Sequence, residues 1–225
     1  MIVVTGASKG LGRAICDRLT SKNLPVFGIA RRIEGISFPC MSCDVSSYED
    51  VKAVAQHFKK DKVRIDALIN AAGIASMNLA VTTPPAVSRN IVHTNLLGTI
   101  YCCQLIAPLM LRNKAGSIIN FSTIAVALGL KGESIYAASK AGVEGFTRAF
   151  AREMADFNVN VNCIAPGPID TSLLKGITSE QIGRIVSQQI IPKQFTPDAV
   201  SDVVELLLDE RSRSLSGQVL HIGGV

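Results

Sequence analysis

The sequence predicts an α/β fold: one domain, residues 1–225, built on a doubly wound parallel sheet of about seven strands with helices on both faces. Three observations predict it. Short apolar runs alternate with longer stretches of helical periodicity along the whole chain. No internal repeat, linker or low-complexity stretch interrupts the alternation, and 225 residues suit one large domain. The first apolar run, Ile2-Val3-Val4, passes through a glycine loop into Leu11, Ala14, Ile15 and Leu19 at helical spacing.

That loop, Thr5-Gly6-Ala7-Ser8-Lys9-Gly10-Leu11-Gly12, carries the first functional signal. Glycines let a backbone turn tightly and approach a pyrophosphate, and a helix N-terminus offers free N–H groups and a positive dipole end. A loop of this kind between a strand and an amphipathic helix points to a dinucleotide site. Pro25 to Ala30 reads as the second strand, ending at Arg31-Arg32. Folds that select NAD commonly end this strand on an acid that holds the ribose 2′-hydroxyl. Here the acid is missing and cations stand beyond Ala30, so Arg31 and Arg32, with Lys9, read as a clamp for a 2′-phosphate. A solvated Arg pair is the plainer alternative.

Cys40 to Cys43 reads as a weaker third strand, followed by Asp44-Val45, where an adenine has room. Ser46-x-x-Glu49 has the spacing of a capping box, and Val51, Val54, Ala55 and Phe58 mark the helix after it. Asp66 to Asn70 is the fourth strand and opens into Asn70-Ala71-Ala72-Gly73. Val87 to Met110 reads as one long helix with Asn95 in its middle, an unfavoured place for Asn unless its side chain finds a partner. Ser117 to Phe121 is the fifth strand, ending at Ser122-Thr123. A helix from about Tyr136 to Phe157 follows, then a sixth strand, Val159 to Ile164, alternating apolar and polar. Pro166-Gly167-Pro168 breaks the chain. Residues 171–194 are the least patterned part and read as a mobile lid, mixing Leu173, Leu174, Ile177, Ile182 and Ile185 with polar residues. Thr196-Pro197 starts the last helix in the order N-cap then proline, and Val219 to Ile222 closes the sheet.

Composition narrows the function. Hydrophobic residues make up 48%, which excludes disorder, and the formal charge of +5 suits phosphorylated ligands. The basic residues are scattered and aromatics are 5%, too few for nucleic-acid stacking platforms. No apolar run reaches the roughly 20 residues of a membrane span, and Met1 leads straight into a strand, so a cytoplasmic place without a membrane partner is expected. Cys40-x-x-Cys43 lacks a partner pair, the three histidines are far apart, and no metal site is expected. The six cysteines read as reduced and largely buried thiols.

The chemistry points to Tyr136 and Lys140. They lie at i and i+4 and share a helix face. A phenol has a pKa near 10, and an adjacent ammonium lowers it toward the range of a useful acid or base. In company with a nucleotide site the pair can move a proton to or from a carbonyl or alcohol oxygen.

Taken together, Thr5-Gly-x-x-x-Gly10-x-Gly12, Asp44-Val45, Asn70-Ala-Ala-Gly73, Asn95, Ser122-Thr123, Tyr136-x-x-x-Lys140, Pro166-Gly167 and Ser216-Gly217-Gln218 resemble the short-chain dehydrogenase/reductase family over essentially the whole chain. The resemblance is greatest to its 3-oxoacyl-carrier-protein reductase branch. It implies a Rossmann fold and an enzyme using NADP(H) to reduce a carbonyl, with a homotetramer or dimer as the assembly. It implies Tyr136 as general acid/base, Lys140 lowering its pKa, Asn95 anchoring a proton relay, and a hydroxyl from Thr123 or Ser122 polarising the substrate. Thr123 is favoured because the family serine stands thirteen residues before the tyrosine. The cofactor would be held by Gly6, Ser8, Lys9, Gly10, Leu11, Gly12, Arg31, Arg32, Asp44, Val45, Asn70, Ala71, Ala72, Gly73, Tyr136, Lys140, Pro166, Gly167, Ile169 and Thr171. The chain departs from the pattern in its short segment between Arg32 and Asp44, too short for the usual helix. It departs again at Phe157-Asn158, where carrier-protein reductases tend to carry a basic residue. The substrate reads as a small carbonyl or alcohol, with a 3-oxoacyl thioester first and a keto-sugar or simple ketone as the alternative. A non-catalytic dinucleotide sensor is the reading from another class.

Overall fold

The structure is a computed structural model and describes every residue except 172, 173, 175 and 176. Seven parallel strands form the sheet: β1 (Ile2–Thr5), β2 (Val26–Ala30), β3 (Cys40–Ser42), β4 (Ala67–Asn70), β5 (Gly116–Phe121), β6 (Val159–Pro166) and β7 (Val219–Ile222). Their spatial order is β3-β2-β1-β4-β5-β6-β7. The order reverses between β1 and β4, and in open α/β sheets ligands bind beyond the strands' carboxyl ends at such a switch point.

Successive residues of a strand face opposite sides, and both sides here are covered. Val3, Leu68, Ile118 and Val161 point into one core, which they share with α2 (Tyr48–Lys60), α4 (Gly98–Ile106) and α6 (Ser134–Met154), the last preceded by the short α5 (Ala125–Leu128). Ile2, Val4, Ile69, Ile119 and Ile164 point into the other, against α1 (Gly10–Ser21) and α8 (Pro197–Leu208). The polar positions of β6 are not turned to water. Asn162 is buried, and Asn160 and Asn162 donate to the Leu215 carbonyl at 3.0 and 2.8 Å, tying the strand to the Ser216-Gly217-Gln218 segment.

Several expectations are corrected. The long helix is not uniform: α3 (Pro85–Val92) passes through a π-helical turn, His93–Leu97, before α4 continues. Asn95 sits in that turn, fully buried. The continuous helical stretch Pro85–Asn113 is long and apolar enough, by length and composition alone, to match a membrane span. Half of its most apolar window is buried within the fold. The cap of α2 lies one residue later than Ser46-x-x-Glu49: Ser47 accepts from the Asp50 backbone at 3.2 Å, while Ser46 donates to Asp44. Within 171–194, Ser179–Val186 is a regular helix, α7, opened by a capping box between Thr178 and Gln181. Leu173 lies outside the described residues.

The short connection from Arg31 to Pro39 has no helix, as its length required. Its cover is Phe38, with Ile36 packed against the same core. Phe38, 5% exposed, lies over Gly28, where a Cβ would stand 2.6 Å from the Phe38 ring and 2.9 Å from the Ala7 side chain. Arg13 reaches across from α1 to stack its guanidinium over the Phe38 ring at 5.5 Å.

Candidate active site

The glycine loop is built to leave space. Gly6 and Gly10 have φ of +72° and +58°, a left-handed region costly for residues with a Cβ. A Cβ on Gly12 would stand 2.7 Å from the Gly6 carbonyl carbon and 2.9 Å from the Thr5 oxygen, so only glycine lets α1 start this close to β1. No side chain caps α1 and no acid sits in its first turn, which leaves its positive end open to an anion. Ser8 and Leu11 are half-buried in this loop, and Lys9 is exposed as the N-cap. Thr5 accepts from the Ala72 backbone at 3.0 Å, fastening the loop after β4 to the end of β1.

Thr5, Val45, Asn70, Ala72, Gly98 and Thr99 line a small recess at the switch point. Asn70 donates to Asn120 at 2.8 Å, but its own side-chain oxygen is buried and finds no partner among the described residues. An orphaned buried acceptor, an uncapped helix end and glycines at close approach fit a dinucleotide. Arg31 and Arg32 are exposed at the end of β2, and one Arg31 guanidinium nitrogen is 3.9 Å from the Asp44 carboxylate. Asp44 otherwise accepts from Ser46, and Val45 is buried against Gly98. Ala71 is half-buried beside this recess and Gly73 is exposed; a Cβ on Gly73 would stand 3.4 Å from the Asn95 side-chain oxygen and 3.5 Å from the Lys140 amine.

Asn95 spends its side chain on the protein. It accepts from the Ile74 backbone at 2.8 Å and donates to the Ile74 carbonyl at 2.9 Å. It also donates to Ser139 at 3.1 Å, and Ser139 donates in turn to the Tyr136 carbonyl at 2.7 Å. The π turn thus pins the Gly73 loop to the first turns of α6. Thr99 donates to the Asn95 backbone carbonyl at 2.8 Å.

Tyr136 and Lys140 are both buried, at 8% and 5% exposure. The Thr123 side chain lies near enough to the Tyr136 hydroxyl to favour its phenolate form. Lys140 donates to the Phe121 carbonyl at 2.8 Å. Ser122 turns elsewhere, donating to the buried Glu144 carboxylate at 2.7 Å. The electrostatics differ from the sequence expectation. Burial pushes the Tyr136 phenol above its ordinary pKa, the nearby Glu133 carboxylate adds to this, and the Thr123 side chain opposes it. Burial pulls Lys140 down to about 8, with Cys163 opposing weakly. Before any ligand binds, the phenol is therefore held protonated.

The other expected residues lie at the same end of the sheet. Pro166 ends β6, and the side chain of Gln189 packs against Gly167. Ile169 is buried and bridges to Phe195, and Thr171 lies against Gly10, 3.9 Å from a Cβ placed there. Sequence reasoning missed Glu144, Ser139 and Gln189. Only Glu144 had a visible signal, as an acid one turn beyond Lys140 on the same helix face. The cysteines are all free, five buried and Cys40 half-buried. Among the described residues no group of three His, Cys, Asp or Glu side chains is placed to hold a metal.

Comparison with known proteins places this geometry. A family profile described as short chain dehydrogenase matches residues 1–182. The chain is 32% identical to a 3-oxoacyl-(acyl-carrier-protein) reductase of Bos taurus over 98% of its length and 95% of the relative's. It is 31% identical to a reductase of the same name from Vibrio cholerae, over 99% and 95%. Among solved structures, a ligand-free aldohexose dehydrogenase of Thermoplasma acidophilum superposes with a TM-score of 0.89 at 28% identity, covering 99% of this chain and 92% of that one. A protein named ElxO, solved with NADP bound, gives 0.89 at 28% identity, covering 98% and 96%. With a parallel sheet, a glycine loop and a buried Tyr-Lys pair at one crevice, the chain belongs to the short-chain dehydrogenase family and is an NAD(P)-dependent oxidoreductase.

Proposed function

We propose that the protein is an NADPH-dependent carbonyl reductase in which Tyr136 is the general acid and Thr123 the substrate-side hydroxyl. The observation that carries this reading is the burial of Tyr136 and Lys140 one turn apart on α6 at the end of β5, with the Thr123 side chain near the Tyr136 hydroxyl and Lys140 held by the Phe121 carbonyl. The nicotinamide, when bound, supplies the hydride to the carbonyl carbon. Tyr136 gives its proton to the carbonyl oxygen, and Thr123 donates a hydrogen bond to the same oxygen. Lys140, a cation below about pH 8, favours the phenolate left behind. Asn95, Gly73 and the glycine loop orient the cofactor. Arg31, Arg32 and Lys9 read its 2′-phosphate, supported by their exposure at the adenosine end and by the NADP-bound relative structure.

The substrate in this reading is a 3-oxoacyl thioester, supported by the acyl-carrier-protein reductases at about 30% identity over nearly the full chain. A keto-sugar is the second reading, favoured by the structural likeness to an aldohexose dehydrogenase. The enzyme is proposed to act in the cytoplasm as a homo-oligomer, with residues 171–194 as its substrate lid. Oxidation of NADPH measured against β-ketoacyl thioesters, keto-sugars and simple ketones tests the substrate. Tyr136→Phe should lower turnover by about 10²-fold or more while cofactor binding survives; unchanged turnover removes Tyr136 as the acid.

A further inference from the structure

Three consecutive residues at the end of β5 each bond to α6, and a fourth approaches it. Asn120 donates to Thr147 at 2.9 Å, the Phe121 carbonyl accepts from Lys140 at 2.8 Å, Ser122 donates to Glu144 at 2.7 Å, and the Thr123 side chain meets Tyr136. Tyr136, Lys140 and Glu144 stand at i, i+4 and i+8, one face of one helix. Two of the three are the residues that carry the proposed chemistry. The third is a carboxylate that is 7% exposed, and a buried charge of this kind is normally retained only with partners. Its partners are the Ser122 hydroxyl and, at 3.2 Å, the half-exposed Arg148.

We propose that Glu144 and Ser122 form a positioning pair that sets the end of β5 in register on α6, so that Thr123 faces Tyr136. β5 ends at Phe121, so Ser122 and Thr123 lie just beyond the strand, where both side chains turn to α6. Anchoring the Ser122 hydroxyl on Glu144 fixes the backbone that carries Thr123, and with it the approach of Thr123 to Tyr136. The same anchor holds the Phe121 carbonyl under Lys140. Ser122 acts through Thr123 and touches no substrate. The pair rests on the reading of Tyr136 and Lys140 above.

The test uses the full chain and steady-state kinetics with whichever ketone the enzyme reduces. Ser122→Ala and Glu144→Ala should each lower kcat by about tenfold, since small misplacements of reacting groups cost at least this much. The KM for NADPH should stay within about twofold, because the two side chains bond to each other and to Arg148 rather than to the glycine loop or to Arg31 and Arg32. The double variant should be no slower than either single one, the mark of groups acting as a unit. Glu144→Gln, whose amide oxygen still accepts from Ser122, should restore kcat to within about twofold of wild type. Wild-type kcat in folded Ser122→Ala and Glu144→Ala overturns the pair, as do additive losses or a Glu144→Gln as slow as Glu144→Ala. A loss in Ser122→Ala alone, with Glu144→Ala and Thr123→Ala both active, overturns it too and makes Ser122 the substrate-side hydroxyl. Should Glu144→Ala fail to fold, Ser122→Ala and Glu144→Gln decide. Full turnover in Tyr136→Phe would instead overturn the acid assignment itself, and is distinguishable because it leaves the Ser122 and Glu144 results to be read on their own.

Discussion

Burying Lys140 has a thermodynamic cost that depends on pH. Its pKa is about 8 in the folded protein against 10.5 when free. The unfolded chain therefore binds more protons than the folded one between pH 8 and pH 10.5, and stability gained from this residue rises with pH across that window. Below pH 8 the full penalty is present: about 2.5 pKa steps at 1.36 kcal/mol each, or ~3 kcal/mol. At pH 10 most of it is gone, leaving less than about 1 kcal/mol by the same linkage. Lys140→Met keeps the length of the side chain and removes the charge. It also strips the Phe121 carbonyl of its donor, a loss of about 1–3 kcal/mol that does not vary with pH. Subtracting wild-type from variant stability at two pH values cancels the constant part. The variant's advantage should shrink by about 2–3 kcal/mol between pH 7 and pH 10, read from urea midpoints and slopes. A difference that stays flat across this range would refute the depressed pKa and the burial cost inferred from it, and would leave Lys140 a cation up to about pH 10.5, as a free lysine is.

Three further outcomes are expected. Arg31→Ala should weaken NADPH binding by about tenfold or more and NADH hardly at all, since charge-assisted contacts to phosphate are worth more than about 1.4 kcal/mol; equal effects by titration calorimetry would remove Arg31 from the 2′-phosphate site. Gly12→Ala should cost about 2 kcal/mol or more, because the added methyl meets backbone atoms of Thr5 and Gly6 that have nowhere to move; a variant of native melting temperature would show that α1 can retreat from β1. Phe38→Ala should cost about 3 kcal/mol, at the low end for a buried aromatic because its cover is a surface loop, and thermal denaturation of the folded variant measures it.

The sheet and its helices were legible because both faces are covered and the periods are clean. The short apolar strands gave their order, and Leu11, Ile15 and Leu19 or Val200, Val204 and Leu207 gave the helix faces. What was hidden turns on single residues. One π turn adds one residue to a run of helical pattern, a change too small for periodicity to register around Asn95. Ser46 and Ser47 are adjacent caps, and Asp50 rather than Glu49 decided between them. Thr178-x-x-Gln181 has capping-box spacing, and Ile182, Ile185 and Val186 fall on one face of α7, but eight residues carry that pattern too briefly for it to stand out. At the site, the spacing to Tyr136 favoured Thr123, and in the structure Ser122 is bonded to Glu144 while the Thr123 side chain lies near the Tyr136 hydroxyl. The pKa of Tyr136 ran against expectation because helix spacing reports the neighbouring charge but not the depth of burial, and burial has the larger effect.

The π turn lets one continuous helix serve two masters. Upstream of it, α3 and the turn itself lie against α6; downstream, α4 lies against α2 and β4. One residue of an α-helix is about 100° of rotation. Removing any single residue between His93 and Leu97 would swing one half about the axis by that amount. Either Asn95 would leave the Gly73 loop, or Cys102, Cys103 and Ile106 would leave the core. The length of this stretch is therefore as constrained as its chemistry, and single-residue deletions there should be less tolerated than substitutions of the same residues.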